Sequence, residues 1–133
     1  MTSNSATSLF GDELLSAVFA NFSQGKQKFK TTESELMEIF HRLLKKPAYR
    51  AFARQYPFDS DGPDPKSKAL SDAFASLQQS RLVGRLNPDL VVYHISPALT
   101  KRYTKFIEPK LDRKKTLVLS LAREVEKNLG HSQ

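Results

Sequence analysis

The residues whose spacing comes nearest to a chemical motif are Asp59, Asp61 and Asp64, in a stretch where three prolines and one glycine impose a loop. A calcium loop of the EF-hand type needs a bidentate glutamate at its twelfth position, and counted from Asp59 that position is Leu70. The ligand set is incomplete, so the segment reads as a solvated connector. His41, His94 and His131 are scattered, and no two of them stand at metal-ligand spacing. Each reads as a structural or surface histidine. The chain has no cysteine, which removes thiolate chemistry and disulfides and suits a cytoplasmic protein. No glycine-rich phosphate loop and no nucleophile elbow are present. The expectation is a protein without enzymatic activity, cofactor or metal.

Charge carries more information than any of these. Residues 1–65 hold eight basic and eight acidic side chains, whereas residues 66–133 hold thirteen against six. The whole net charge of +7 therefore lies in the second half, as a phosphate-binding surface there would require.

That half opens on the best-defined elements. Leu70, Ala73, Phe74 and Leu77 fall at helical spacing and predict an amphipathic helix over 66–80. Two runs rich in apolar and β-branched residues follow, at 81–86 and 90–96, joined by Asn87-Pro88-Asp89, a turn signal. Ser96-Pro97 then reads as the N-cap and first turn of another helix. Helix, hairpin and helix in this order resemble a winged helix-turn-helix. The resemblance implies a mainly α fold with one two-stranded antiparallel hairpin and a long C-terminal helix. It also implies a DNA-binding protein, a small transcriptional regulator, with the 66–80 helix in the major groove of duplex DNA. Carried over by position, Ser71, Ser76 and Gln79 face the bases. Lys66, Lys68, Arg81, Arg85, Lys101 and Arg102, on or beside the motif, suit phosphates. The same scaffold also serves as a protein–protein interaction module, in an antitoxin-like protein or a complex subunit, and the sequence leaves both open.

The other elements must hold that half in place. Residues 1–8 read as a disordered leader and 9–133 as a single domain. A first helix carries Leu14, Leu15, Val18, Phe19 and Phe22 and ends near Gly25. Lys26–Lys30 reads as a basic loop or short extended piece with Phe29 as its anchor. Thr32 and Glu35 have capping-box spacing ahead of a helix carrying Leu36, Ile39, Phe40, Leu43 and Leu44. Pro47 opens a short piece with Tyr49, Phe52 and Tyr56 inward. The helix after Ser96 should carry Leu99, Tyr103, Phe106 and Ile107 inward and stop before Pro109. The last helix, 111–129, has a one-sided stripe of Leu117, Val118, Leu121 and Val125, expected to form a homodimer interface. No apolar run reaches the roughly 20 residues of a membrane helix.

Overall fold

One helix, α1 (Gly11–Ala20), is buried on nearly every side. Seven consecutive residues, Glu13 to Phe19, are buried, which is the pattern of a helix at the centre of a core rather than on its surface. Its polar side chains are satisfied. Ser16 Oγ donates to the Asp12 carbonyl at 2.8 Å, and the Glu13 carboxylate meets Lys110 Nζ at 2.7 Å. The computed structural model describes residues 11–22, 28–59, 65–85 and 92–129. The expected leader, the turn at Asn87–Asp89, and Asp61 and Asp64 of the aspartate loop lie outside them.

After α1 come β1 (Lys28–Lys30), α2 (Glu33–Leu44), a 3₁₀ helix (Pro47–Gln55) and α3 (Lys68–Gln79). Then follow β2 (Val83–Arg85), β3 (Val92–Ile95), α4 (Pro97–Arg102), a π-helical turn (Tyr103–Ile107) and α5 (Glu108–Leu111). A short 3₁₀ turn (Asp112–Lys114) leads into α6 (Lys115–Asn128). The fold is mainly helical, with a small antiparallel sheet in the order β1-β3-β2 and a long C-terminal helix.

The sheet has three strands, not the expected two. The added strand is β1, which the sequence leaves open as a basic loop or a short extended piece, and it pairs Phe29 with Tyr93 and Lys28 with His94. Its alternation is short but regular: Lys28 and Lys30 face solvent while Phe29 is buried.

Phe29 belongs to a cluster of five rings that joins four elements. Phe19 of α1 lies 4.8 Å from Phe29 and 6.2 Å from Phe74, centroid to centroid. Phe22 meets Phe29 edge-on at 5.7 Å. Tyr93 of β3 stacks on Phe29 at 5.6 Å and packs on Phe74 at 5.1 Å. Offset and edge-on pairs of this kind add to the burial of their area. The buried stripe of α3 is the predicted one, Leu70, Ala73, Phe74 and Leu77, but it rests chiefly on α1 rather than on α2.

Thr32 caps α2, its Oγ1 accepting from the Glu35 amide at 3.0 Å. Ser67 caps α3 in the same way, accepting from the Leu70 amide at 3.3 Å. Two expectations fail after β3, and for one reason. The helix does not stop before Pro109, and Phe106 does not point inward; it is 59% exposed. A π-helical turn at Tyr103–Ile107 is wider than an α-turn, so Leu99, Tyr103, Ile107 and Leu111 stay in line on the core at intervals of four. Phe106 is thereby rotated away, and Pro109 falls in the first turn of α5, where its missing N–H costs nothing.

The terminal helix is also reassigned. Val118, Leu121 and Val125 are fully buried within a single chain, and Leu117 is half-buried. α6 packs on α1, α2 and the 3₁₀ helix, so the stripe expected to form a dimer interface is part of the chain's own core. The other helices do not close the core without α6.

A polar link pins the 3₁₀ helix to α6. Lys46 Nζ lies 2.8 Å from Glu124 Oε1, the Tyr49 hydroxyl donates to Glu124 Oε2 at 2.5 Å, and Ser120 Oγ is 2.8 Å from that hydroxyl. The Lys46 and Tyr49 hydrogen bonds hold the Glu124 carboxyl below the usual carboxylate range. The folded carboxyl therefore binds its proton less tightly than the unfolded one. Its contribution is complete above the ordinary glutamate value of about 4.3 and is lost as pH falls through the lowered value. Both partners are partly solvated, so Glu124→Gln should cost only about 0.5–1 kcal/mol at pH 7. The difference from wild type should shrink in urea melts as pH falls from 7 through the lowered value; a deficit that stays constant into strong acid would assign the loss to packing.

Candidate nucleic-acid interface

The two faces of α3 divide cleanly. One stripe is held in the core, and Lys68, Asp72, Ala75 and Gln79 face solvent with Ser71 and Ser76 half-buried beside them. Lys68 Nζ meets Asp72 Oδ2 at 2.9 Å, one turn on. Such an exposed pair contributes a few tenths of a kcal/mol, so either partner can exchange the other for a ligand at little cost. Ser71 Oγ donates to Glu33 Oε2 of α2 at 3.1 Å. Lys66, Lys68 and Ser71 share a cleft of about 410 Å³ with Glu33, Asp59 and Met37. Its walls carry both signs of charge.

The C-terminal end of α3 has a feature that sequence alone did not show. The Leu82 amide donates to the Leu77 carbonyl at 2.9 Å and the Arg81 amide to the Gln78 carbonyl at 3.1 Å. These are the two bonds of a Schellman motif, and the residue they place in the left-handed region is normally glycine. Here it is Arg81, with φ 62°. A side chain there costs about 1–2 kcal/mol relative to the right-handed region. Leu77 and Leu82, both buried, complete the motif's apolar contact. The Arg81 side chain is exposed and takes part in no ion pair among the described residues.

Arg85 ends β2 with its guanidinium 5.4 Å from the Tyr93 ring centre and donates to the Tyr93 hydroxyl at 2.9 Å. That anchors it to the aromatic cluster. The Ser96 amide donates to the Leu82 carbonyl at 2.9 Å, so α4 begins beside the turn that holds Arg81. Lys101 is exposed on α4. Arg102 is turned the other way, 3.4 Å from Asp12 Oδ2, and its charge is balanced inside the chain. The structure thus brings together two groups, Lys66–Lys68–Ser71 at one end of α3 and Gln79–Arg81 at the other. Arg102 stands apart from both.

Of the two described histidines, His41 is half-buried with its ring 4.9 Å from Phe58, and His94 lies half-exposed on β3. Among the described residues no cluster of three or more potential metal ligands forms, and no helix is long and apolar enough to cross a membrane. Burial holds the Tyr56 phenol well above the usual tyrosine range, with Asp12 adding to the shift, and its hydroxyl donates to the Gly11 carbonyl. The role of Tyr56 is to fix the start of α1.

The sequence reads Lys26–Lys30 as a basic loop or short extended piece and does not include Lys28 and Lys30 among the candidate site residues. Their alternation with the buried Phe29 was the available signal, since a period of two is that of a strand. Comparison with protein-family models, with curated proteins and with solved structures finds no match.

Proposed function

We propose that this chain is a winged-helix protein that binds duplex DNA, with the exposed face of α3 in the major groove and the sheet beside the backbone. What supports the fold half of the reading is order and pairing. The elements run helix, strand, helix, 3₁₀ helix, helix, strand, strand, so α3 leads directly into an antiparallel strand pair as this reading expects, and β1 is an addition to that pair. The departure is the connection from α2 to α3, which holds the 3₁₀ helix where a tight turn is usual.

The observation that carries the functional half is Arg81. An arginine is kept where glycine would fit without strain, and its cation is exposed and without an ion-pair partner among the described residues, at the end of the proposed recognition helix. Residues held in such conformations cluster at functional sites. Gln79 beside it can pair with base edges, and Lys68 can release Asp72 to meet a phosphate. Repression or activation of transcription follows from occupancy of a site.

Substitution of Arg81 by glycine separates fold from function. Arg81→Gly should stabilise the chain by about 1 kcal/mol, because the strain is relieved. It should at the same time weaken duplex binding and lower the slope of log affinity against log salt by about 0.9. Fluorescence anisotropy with random duplex at 50–200 mM salt, beside a urea melt of the same variant, measures both. Undiminished binding by Arg81→Gly removes Arg81 from the interface, and absence of wild-type binding at the lowest salt overturns the reading.

A partner-binding role is favoured by one observation, the 59% exposure of Phe106 beside Lys105. A stable complex with another protein that is lost on Phe106→Ser, in a chain without duplex affinity, decides for it.

A further inference from the structure

The outer face of the sheet is basic and unoccupied by any other element of the described chain. Strand alternation puts Phe29, Tyr93, Val83 and Ile95 on the inner side. Lys28 and Lys30 of β1, Val92 and His94 of β3, and Gly84 of β2 form the outer side. Lys28, His94 and Gly84 lie in one row across the three strands. A Cβ added at Gly84 would meet nothing within 4 Å, so the row ends in open space. Both lysines are exposed, and among the described residues neither is in an ion pair and this face holds no carboxylate.

We infer that this face is a second contact for the phosphate backbone of the duplex, made by Lys28 and Lys30 with His94 as a hydrogen-bonding neighbour. The inference rests on the DNA-binding reading and extends it to a surface outside α3. Two residues apart on a strand, the lysines are about 6.7 Å apart, so each ammonium can meet its own phosphate. Phe29 between them is locked against Tyr93 at 5.6 Å. That fixes the orientation of the strand, and Tyr93 in turn holds Arg85. The sheet therefore presents cations whose backbone is already ordered, and little freedom is lost when a ligand arrives.

Lysines on an edge strand also discourage edge-to-edge pairing, and the measurement must separate the two roles. The double variant Lys28→Gln/Lys30→Gln is titrated by anisotropy on the same duplex between 50 and 200 mM salt, with Lys28→Arg/Lys30→Arg as the charge-preserving control. The glutamine variant should lose on the order of tenfold in affinity per lysine, and about 1.8 in salt slope, while the arginine variant keeps both. Its thermal midpoint should match wild type. Wild-type affinity and slope in the glutamine variant overturn the inference and leave the α3 reading standing. Failure of the wild type to bind duplex at 50 mM salt overturns both. Lysine-dependent binding to phosphatidylserine vesicles without duplex binding assigns the face to a membrane surface and overturns it as well.

Discussion

Replacing Phe74 with alanine should remove about 3–5 kcal/mol of folding stability, read as a shift of the urea midpoint with little change in slope. Phe74 is fully buried and touches two other rings, Phe19 on α1 and Tyr93 on β3. The truncation removes a large apolar side chain and leaves a cavity at the junction of helix and sheet. Two aromatic pairs are lost with it, each about 0.5–1.5 kcal/mol beyond the area term. Domains of this size have roughly 5–15 kcal/mol in total, so the variant should be close to unfolding at 37 °C. A loss under about 1 kcal/mol would mean that the five-ring cluster does not hold α3. The change also reaches the interface. Tyr93 positions Arg85, so the residual folded protein should bind duplex more weakly than its folded fraction explains.

The second large effect is expected at Leu121. The side chain is fully buried on α6 against α1 and its neighbours. Leu121→Glu would bury a carboxyl with no partner, which costs several kcal/mol even after the group takes up a proton. A loss above about 4 kcal/mol is expected, visible as a chain without a cooperative melt. The contrary outcome has a definite meaning. A variant that melts like wild type but sediments more slowly would place Leu121 on a surface between two copies, as the isolated helix suggests.

What could be read from the sequence follows from which forces are local. The stripes of α1, α2 and α3 and the caps at Thr32 and Ser96 depend on neighbours within a turn or two, and all are legible in spacing alone. Lys28–Lys30 stays open between loop and extended piece in the sequence because three residues are too short for a periodic signal. It is a strand only because β3, more than sixty residues later, offers it a ladder. The π-helical turn was invisible for a related reason. Nothing in Tyr103–Ile107 demands a wider turn until Leu99 and Leu111 are both required on the core.

The candidate site divides along the same line. Lys66, Lys68, Ser71 and Gln79 were found because they are whatever the buried stripe of α3 leaves outside. The conformation of Arg81 was not, since the Schellman bonds that impose it are set by the turn into β2. Arg102 was misplaced because its partner, Asp12, is ninety residues away.

That separation governs how the chain must fold. The N-terminal helix α1 is enclosed by α3, α4, the π-helical turn and α6, and the Glu13–Lys110 pair spans 97 residues. A helical protein whose central contacts are this distant in sequence folds more slowly than a bundle of neighbouring helices. During synthesis Leu14, Leu15 and Val18 precede Val125 and have no lasting cover until it has followed. This core therefore closes only once α6 is available to pack on α1. Until then, the most apolar segment of the nascent chain is open to chaperones.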